Sequence, residues 1–196
     1  MSLITVDGNL YSFTIDYAAQ PSQLNILIEN KNQQSANFVK DQAIKLSSGN
    51  NQALYKAIAQ KIEASKVMHV GRTSLDQIQL RVSGIYVNTD VIYFRLQLKN
   101  KSNISYDIDN IRFSIKDTQK SIRTATQEIE LKPVYIHHKF NKVQAESSTS
   151  CIIALPKFTL PHSKYLSIQT FEKNGSRNLT LALTNKHIMK AVAISE

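Results

Sequence analysis

The sequence predicts a mainly β fold: an immunoglobulin-like β-sandwich preceded by a β-hairpin and a short helical segment. Three observations predict it. From Ile78 onward apolar and polar residues alternate at a period of two, about eight such runs follow at fairly regular spacing to Thr184, and the stretch just before them repeats its apolar residues every four positions. Period-two alternation sends one strand face into a core and leaves the other in water, and many short strands at even spacing build a sandwich. A period near 3.6 marks a helix.

At the amino end, Leu3 to Val6 and Asn9 to Tyr17 flank Asp7-Gly8, a pair that supplies the positive φ of a tight hairpin turn. Leu24 to Ile28 reads as a further strand, and the Asn- and Gln-rich stretch from Glu29 to Asn37 as a linker. A helical region runs from Phe38 to Leu46, breaks at Ser-Ser-Gly-Asn-Asn, and resumes from Gln52 to Ser65. In the second piece Leu54, Ile58 and Ile62, with Ala53 and Ala57 beside them, form one apolar stripe, and Asn51 suits its N-cap. So narrow a stripe on so short a helix needs tertiary packing, which its own domain is expected to supply. The organisation expected is residues 1–35 as an N-terminal hairpin with strands, the remnant of a truncated N-terminal β domain; 36–75 as a helical linker region; and 76–196 as the sandwich.

Within the sandwich, Ile78, Leu80 and Val82 alternate with Gln79, Arg81 and Ser83. Ile92, Phe94, Leu96 and Leu98 alternate with Tyr93, Arg95, Gln97 and Lys99, and Asn88-Thr-Asp90 suits the loop between these two strands. Further strands are expected at 111–116, 127–131, 134–139, 150–155, 165–173 and 179–184. The Cys, Trp, Cys hallmark of antibody domains is missing, so the likeness to immunoglobulins is one of layout.

A chain of 196 residues, 42% hydrophobic and 20% charged, buries enough surface to fold without a disulfide or a metal. Its one cysteine, Cys151, forms no intrachain disulfide and lies in the apolar run Cys151-Ile-Ile-Ala-Leu155, where a thiol acts as a small hydrophobe. The formal charge of +9 favours acidic partners, but the cations are spread along the chain. Their densest stretch holds only Lys116, Lys120 and Arg123, a spacing expected of a solvated strand edge guarded against pairing with other chains. No specific nucleic-acid partner is expected: the aromatic RNA-recognition motif is absent, and Tyr93 with Arg95 is the one aromatic and cation together on a strand face read as exposed.

Hydrolases and transferases need a nucleophile, a base and an oxyanion donor that converge. No Gly-x-Ser-x-Gly elbow and no phosphate-cradling glycine loop is present. His137 and His138 are adjacent on an expected strand, which sends them to opposite faces and keeps them from chelating one ion together. The pairs Asp107 with Asp109 and Glu128 with Glu130 each flank an isoleucine and read as the wet side of a half-buried strand. No catalytic, cofactor-binding or metal-binding residue, no cofactor and no enzymatic activity is therefore expected. An alternative is a carbohydrate- or surface-binding module, whose mark is a row of exposed aromatics; Tyr86, Tyr93 and Tyr106 are the candidates.

Several ordered segments carry a resemblance that spans nearly the whole chain: Val6 to Tyr17, Gly84-Ile-Tyr-Val87, Val91-Ile-Tyr-Phe94, Asn103-Ile-Ser-Tyr-Asp-Ile-Asp109, Gln127 to Pro133, Ala154-Leu-Pro-Lys-Phe-Thr-Leu-Pro161 and Phe171-Glu-Lys-Asn-Gly175. Together they resemble the TraN family of Bacteroidetes-type conjugative transposons. The resemblance implies a non-enzymatic structural component of a conjugative, type IV secretion-like apparatus. Its partners would be other transfer proteins of the cell envelope, with oligomers in the assembled machine. Its place would be the periplasm, associated with the outer membrane through partners. The abrupt strand-like start at Met1-Ser-Leu3 is then expected of a chain whose leader has been lost. Rim charges select neighbours in such assemblies, and Lys116, Lys120 and Arg123 are the contact strip expected here.

Overall fold

The computed structural model describes residues 2–4, 10–12, 52–118 and 128–195. The chain divides into two compact units, Met1–Asn51 and Gln52–Glu196. In the first, β1 (Ser2–Ile4) pairs antiparallel with β2 (Leu10–Ser12), Leu3 opposite Tyr11, as the hairpin reading requires. The Asp7-Gly8 turn, the strand at 24–28, the helical piece at 38–46 and the Asn51 cap lie outside the described residues.

The second unit opens with α1 (Gln52–Ala64) and continues through β3 (Gly71–Leu75), β4 (Ile78–Asn88), β5 (Val91–Asn100), β6 (Tyr106–Asp117), β7 (Glu128–Leu131), β8 (Tyr135–His137), β9 (Lys142–Val143), β10 (Ser148–Pro156), β11 (Lys164–Glu172), β12 (Leu179–Thr184), α2 (Asn185–Ile188) and β13 (Val192–Ala193). All eight strands expected from the alternation are present. The three that the alternation misses, β3, β9 and β13, are two to five residues long and mostly polar or exposed, too short to display a period.

The strands of this unit form two sheets, antiparallel except for a short parallel pairing of β13 with β4 inside the first. The first runs β4-β5-β10-β8, with β3 and β13 sharing the outer edge of β4. The second runs β12-β11-β6, with β7 and β9 sharing the other edge of β6. Between them lies the core, in which Leu80, Val82, Phe94 and Leu96 of the first sheet meet Phe113, Leu166, Ile168 and Leu183 of the second. Phe94 is fully buried, tilted against Phe113 at 5.7 Å between ring centroids and stacked on Phe158 at 6.5 Å. The fold is a β-sandwich, as the alternation predicts.

One further layer was not expected as part of the sandwich unit. Helix α1 lies on the outer face of the first sheet, where Tyr55, Ile58, Ala59 and Ile62 pack on Tyr86, Tyr93, Ile152 and Ala154. Ile58, Ile62 and part of Leu54 pack on their own domain as expected, but Ala53 and Ala57 are exposed and Tyr55 and Ala59 complete the buried face. The compact unit accordingly begins at Gln52, whereas the sequence reading assigned 36–75 to a linker. A β-bulge at Ser83 helps to prepare this face. Val82 points to the core and, one extra residue later, so do Ile85 and Val87, which turns Tyr86 toward the helix. A side chain at Gly84 would meet the Tyr86 ring at 2.5 Å, so glycine is what lets that ring lie flat along the strand.

Candidate functional site

The residues singled out for recognition prove to be engaged in the fold. Tyr86, Tyr93 and Tyr106 are 4%, 0% and 0% exposed, so the aromatic row required for a glycan platform is not formed by them. The alternation placed Tyr93 on a wet face, but that face is covered by α1. Burial there, next to the phenols of Tyr55 and Tyr135, pushes the Tyr93 hydroxyl far above the ordinary tyrosine range. Arg95, its supposed partner in stacking and charge, instead donates from Nη1 to the carbonyls of Ser65 at 3.0 Å and Ile62 at 3.4 Å. It closes the carboxyl end of α1, where orphan carbonyls and the helix dipole favour a cation.

Of the expected contact strip, Lys116 lies on β6 with its ammonium 3.4 Å from Glu128 and 3.5 Å from the side-chain oxygen of Gln169. It links three adjacent strands and is only 20% exposed, so it is a poor candidate for reaching a neighbour. Lys120 and Arg123 lie outside the described residues. Asp107 pairs with Lys142 at 3.4 Å beside the buried Ile108, which fits Asp107 and Asp109 as the wet side of a half-buried strand. Glu130 pairs with Arg112 at 3.5 Å, but Ile129 between Glu128 and Glu130 is exposed, so β7 is wet on both sides. Cys151 is buried, and burial pushes its thiol up to about 12, so it is a core residue and no nucleophile at neutral pH.

Two clusters were missed by the sequence reading. In the first, Arg177 donates to Glu172 from Nε at 2.9 Å, from Nη2 and from its own backbone N–H at 3.0 Å. It also donates to the Ser105 carbonyl at 2.8 Å and the Ser102 hydroxyl at 3.2 Å, and its guanidinium lies 5.5 Å from the Tyr106 ring centroid. These bonds to Arg177 hold the Glu172 carboxyl below the usual range. The pair is nearly buried, with side-chain exposures of 16% and 9%, and it ties the loop after β11 to the loop before β6. A residue pair separated by five positions across a turn gives no periodic signal, which is why it was invisible.

The second cluster corrects the histidine reading. His137 is the last residue of β8, and His138 takes a left-handed backbone, with φ of 54°. That turn breaks the strand parity and brings both imidazoles to one side, 4.1 Å apart between ring centroids. Both face Glu63 in the last turn of α1: Nε2 of His137 is 3.7 Å and Nε2 of His138 is 3.5 Å from the same carboxylate oxygen. His137 is 8% exposed on its side chain, its Nδ1 lies 3.1 Å from the Tyr135 hydroxyl, and its Nε2 has no hydrogen-bond partner among the described residues. Burial and the neighbouring His138 push its imidazole below the ordinary histidine value, which favours the neutral ring.

Two open surface depressions lie along the β3 to β4 turn, lined by Ser74, Asp76 and Lys101 among others, and between Asp107 to Asp109 and Asn141 to Lys142. Among the described residues no helix is long and apolar enough to cross a membrane.

A family model described as a domain of unknown function, DUF4138, matches residues 50–193. The chain belongs to the DUF4138 family. No curated protein matches it. The DUF4138 match starts two residues before α1 and ends at the last residue of β13, so it coincides with the compact sandwich unit, helix included. Glu63, His137, His138, Glu172 and Arg177 all fall inside the DUF4138 domain.

Proposed function

We propose that this DUF4138 domain is a non-enzymatic structural component of a conjugative transfer apparatus, a TraN-like subunit that works in the cell envelope through contacts with other transfer proteins. The supporting observation is where the segments of resemblance lie. Asn103 to Asp109 and Phe171 to Gly175 are drawn together by Arg177 and by the bond from the Lys173 N–H to the Asp107 carbonyl at 2.8 Å. Ala154 to Pro161 supplies Leu155 and Leu160 to the core and Phe158 to the stack on Phe94. Likeness concentrated in core and clamp residues is likeness in framework, which suits a protein that acts by presenting surfaces.

Edges and loops are the surfaces such a subunit has to offer. Unpaired strand edges accept a partner strand, and the exposed apolar residues Ile104 and Met189, 70% and 76% exposed, give loops something to bury. Lys116 is held within the sheet, so a charge-selected contact falls to Lys120 and Arg123 in this proposal. The periplasm and an association with the outer membrane through partners complete the reading, with oligomers in the assembled machine and no specific nucleic-acid partner.

The test is cross-linking in donor cells, recovery of the protein and identification of its neighbours by mass spectrometry. Recovery with other transfer proteins in an envelope fraction is the expected result. Recovery alone from the soluble cytoplasm, or undiminished conjugation after deletion of the protein, would end the proposal.

A further inference from the structure

Glu63, His137 and His138 come from two elements that approach only when α1 docks on the first sheet. Their three nearest donor atoms lie within 4.8 Å of one another. Two distances to the Glu63 oxygen, 3.7 and 3.5 Å, are close to the edge of a tetrahedron around zinc, about 3.3 Å for metal bonds of about 2.0–2.1 Å. The third edge, between the two imidazole nitrogens, lies within 4.8 Å, so the rings would also turn toward each other to close on one ion.

A simple ion pair between Glu63 and a protonated histidine is the competing account, and two features weigh against it. Both contacts, at 3.7 and 3.5 Å, are long for a charge-assisted hydrogen bond to a carboxylate. The nitrogen of His137 that faces the cluster is buried and has no hydrogen-bond partner among the described residues, a costly state that a bound cation would relieve. On the far side of the ring, the Tyr135 hydroxyl sits 3.1 Å from Nδ1. With the Nδ1 proton donated to that oxygen, the Nε2 lone pair is aimed at the cluster, the outer-shell arrangement that orients ligating histidines.

We infer that Glu63, His137 and His138 form a zinc site that clips the last turn of α1 to the end of β8. The ligand set is two imidazoles and one carboxylate, which suits a borderline-soft divalent ion better than calcium or magnesium. His138 and Glu63 are 60% and 47% exposed on their side chains, so a fourth tetrahedral position opens to solvent, free for water or a donor from another protein. The site does not depend on the proposed role in conjugation.

The experiment is calorimetric titration of untagged, chelator-treated full-length protein with zinc chloride at neutral pH, beside Co2+ loading read by visible absorption. One zinc per chain, a rise in melting temperature with added zinc, and the intense visible bands of four-coordinate cobalt are expected. His138→Ala and Glu63→Ala change exposed side chains, so both should melt like the metal-free parent while losing about tenfold or more in zinc affinity. His162→Ala, outside the cluster, should bind zinc like the parent. Absence of stoichiometric binding at micromolar protein, or binding in both cluster variants within twofold of the parent, would overturn the assignment.

Discussion

The two sheets of this DUF4138 domain share one core but treat their outer faces differently. The first carries Tyr86, Tyr93, Ile152 and Ala154 outward and covers them with α1. On the second, the outward residues are polar: Ser114 and Ser167 face each other fully buried, Gln169 is half-buried and bonded by Lys116, and Thr180 and Thr184 are exposed. Where a helix lies on a strand the alternation is lost, whereas a strand whose outward residues are polar keeps it. The run Cys151-Ile-Ile-Ala-Leu155 is fully buried, while Leu179-Thr-Leu-Ala-Leu-Thr184 alternates strictly between buried and exposed. The helix-covered face is thus where this chain invests its second core, its buried phenols and its histidine cluster.

A carboxylate placed on each outer face would break this comparison most directly. Ile152→Glu on β10 removes a buried side chain and forces a charge under Ile58 and Ile62, a loss of about 4 kcal/mol or more. Urea unfolding followed by circular dichroism measures it. A loss under about 1 kcal/mol would mean that α1 does not cover that face in solution.

How much of this was legible in the sequence differs between the parts of the strands that the helix covers and the parts it does not. Strands β6, β11 and β12, and β4 and β5 of the first sheet, were readable because an apolar core face and a polar outer face write the alternation. In the first sheet Tyr93 was misread, because the wet-face inference presumes that nothing covers the sheet. The unbroken apolar run at 151–155 was the available signal of a covering layer. The histidine pair was misread because a single left-handed residue, His138, ends the strand and turns one ring back, and nothing in the residue type announces that turn. The Arg177 and Glu172 clamp joins loops and leaves no periodic trace at all.

That clamp gives the second prediction, and it sharpens the comparison by asking what replaces a helix on the second sheet. Arg177→Ala leaves the Glu172 carboxylate nearly buried with only the backbone N–H of residue 177 as a partner, a cost of about 3 kcal/mol. Glu172 is held below its ordinary value of about 4.5, so its contribution to stability is fully present above that value and is lost as pH falls through its lower folded value. The stability gap between the parent and Glu172→Gln should therefore be constant near neutrality and close as pH drops below about 4.5. A gap independent of pH from 7 down to 3 would show that the ionised pair contributes nothing.

Tyr93→Phe carries the opposite sign. The Tyr93 hydroxyl is buried beneath α1 with no hydrogen-bond partner among the described residues, so it bears a desolvation cost without a bond to offset it. Removing the oxygen should leave the ring in place and stabilise the domain by up to about 1 kcal/mol, seen as a higher urea midpoint at unchanged slope. Destabilisation by a similar amount would point to an ordered water bonded to that oxygen under the helix.

The smallest effect belongs to Thr180→Glu on β12, the counterpart of the substitution at Ile152. Thr180 is exposed on the polar outer face, and its hydroxyl accepts one long bond of 3.4 Å from the Gln169 amide. Nothing there is desolvated by the longer side chain, so stability should move by no more than about 0.5 kcal/mol. Under the proposed role in a transfer apparatus the same substitution has a second use. If the outer face of the second sheet is where a neighbouring subunit docks, Thr180→Glu leaves the isolated domain's unfolding curve where it was and lowers the yield of cross-linked partner. An unchanged curve with unchanged cross-linking would move the contact off this face and onto the strand edges and loops.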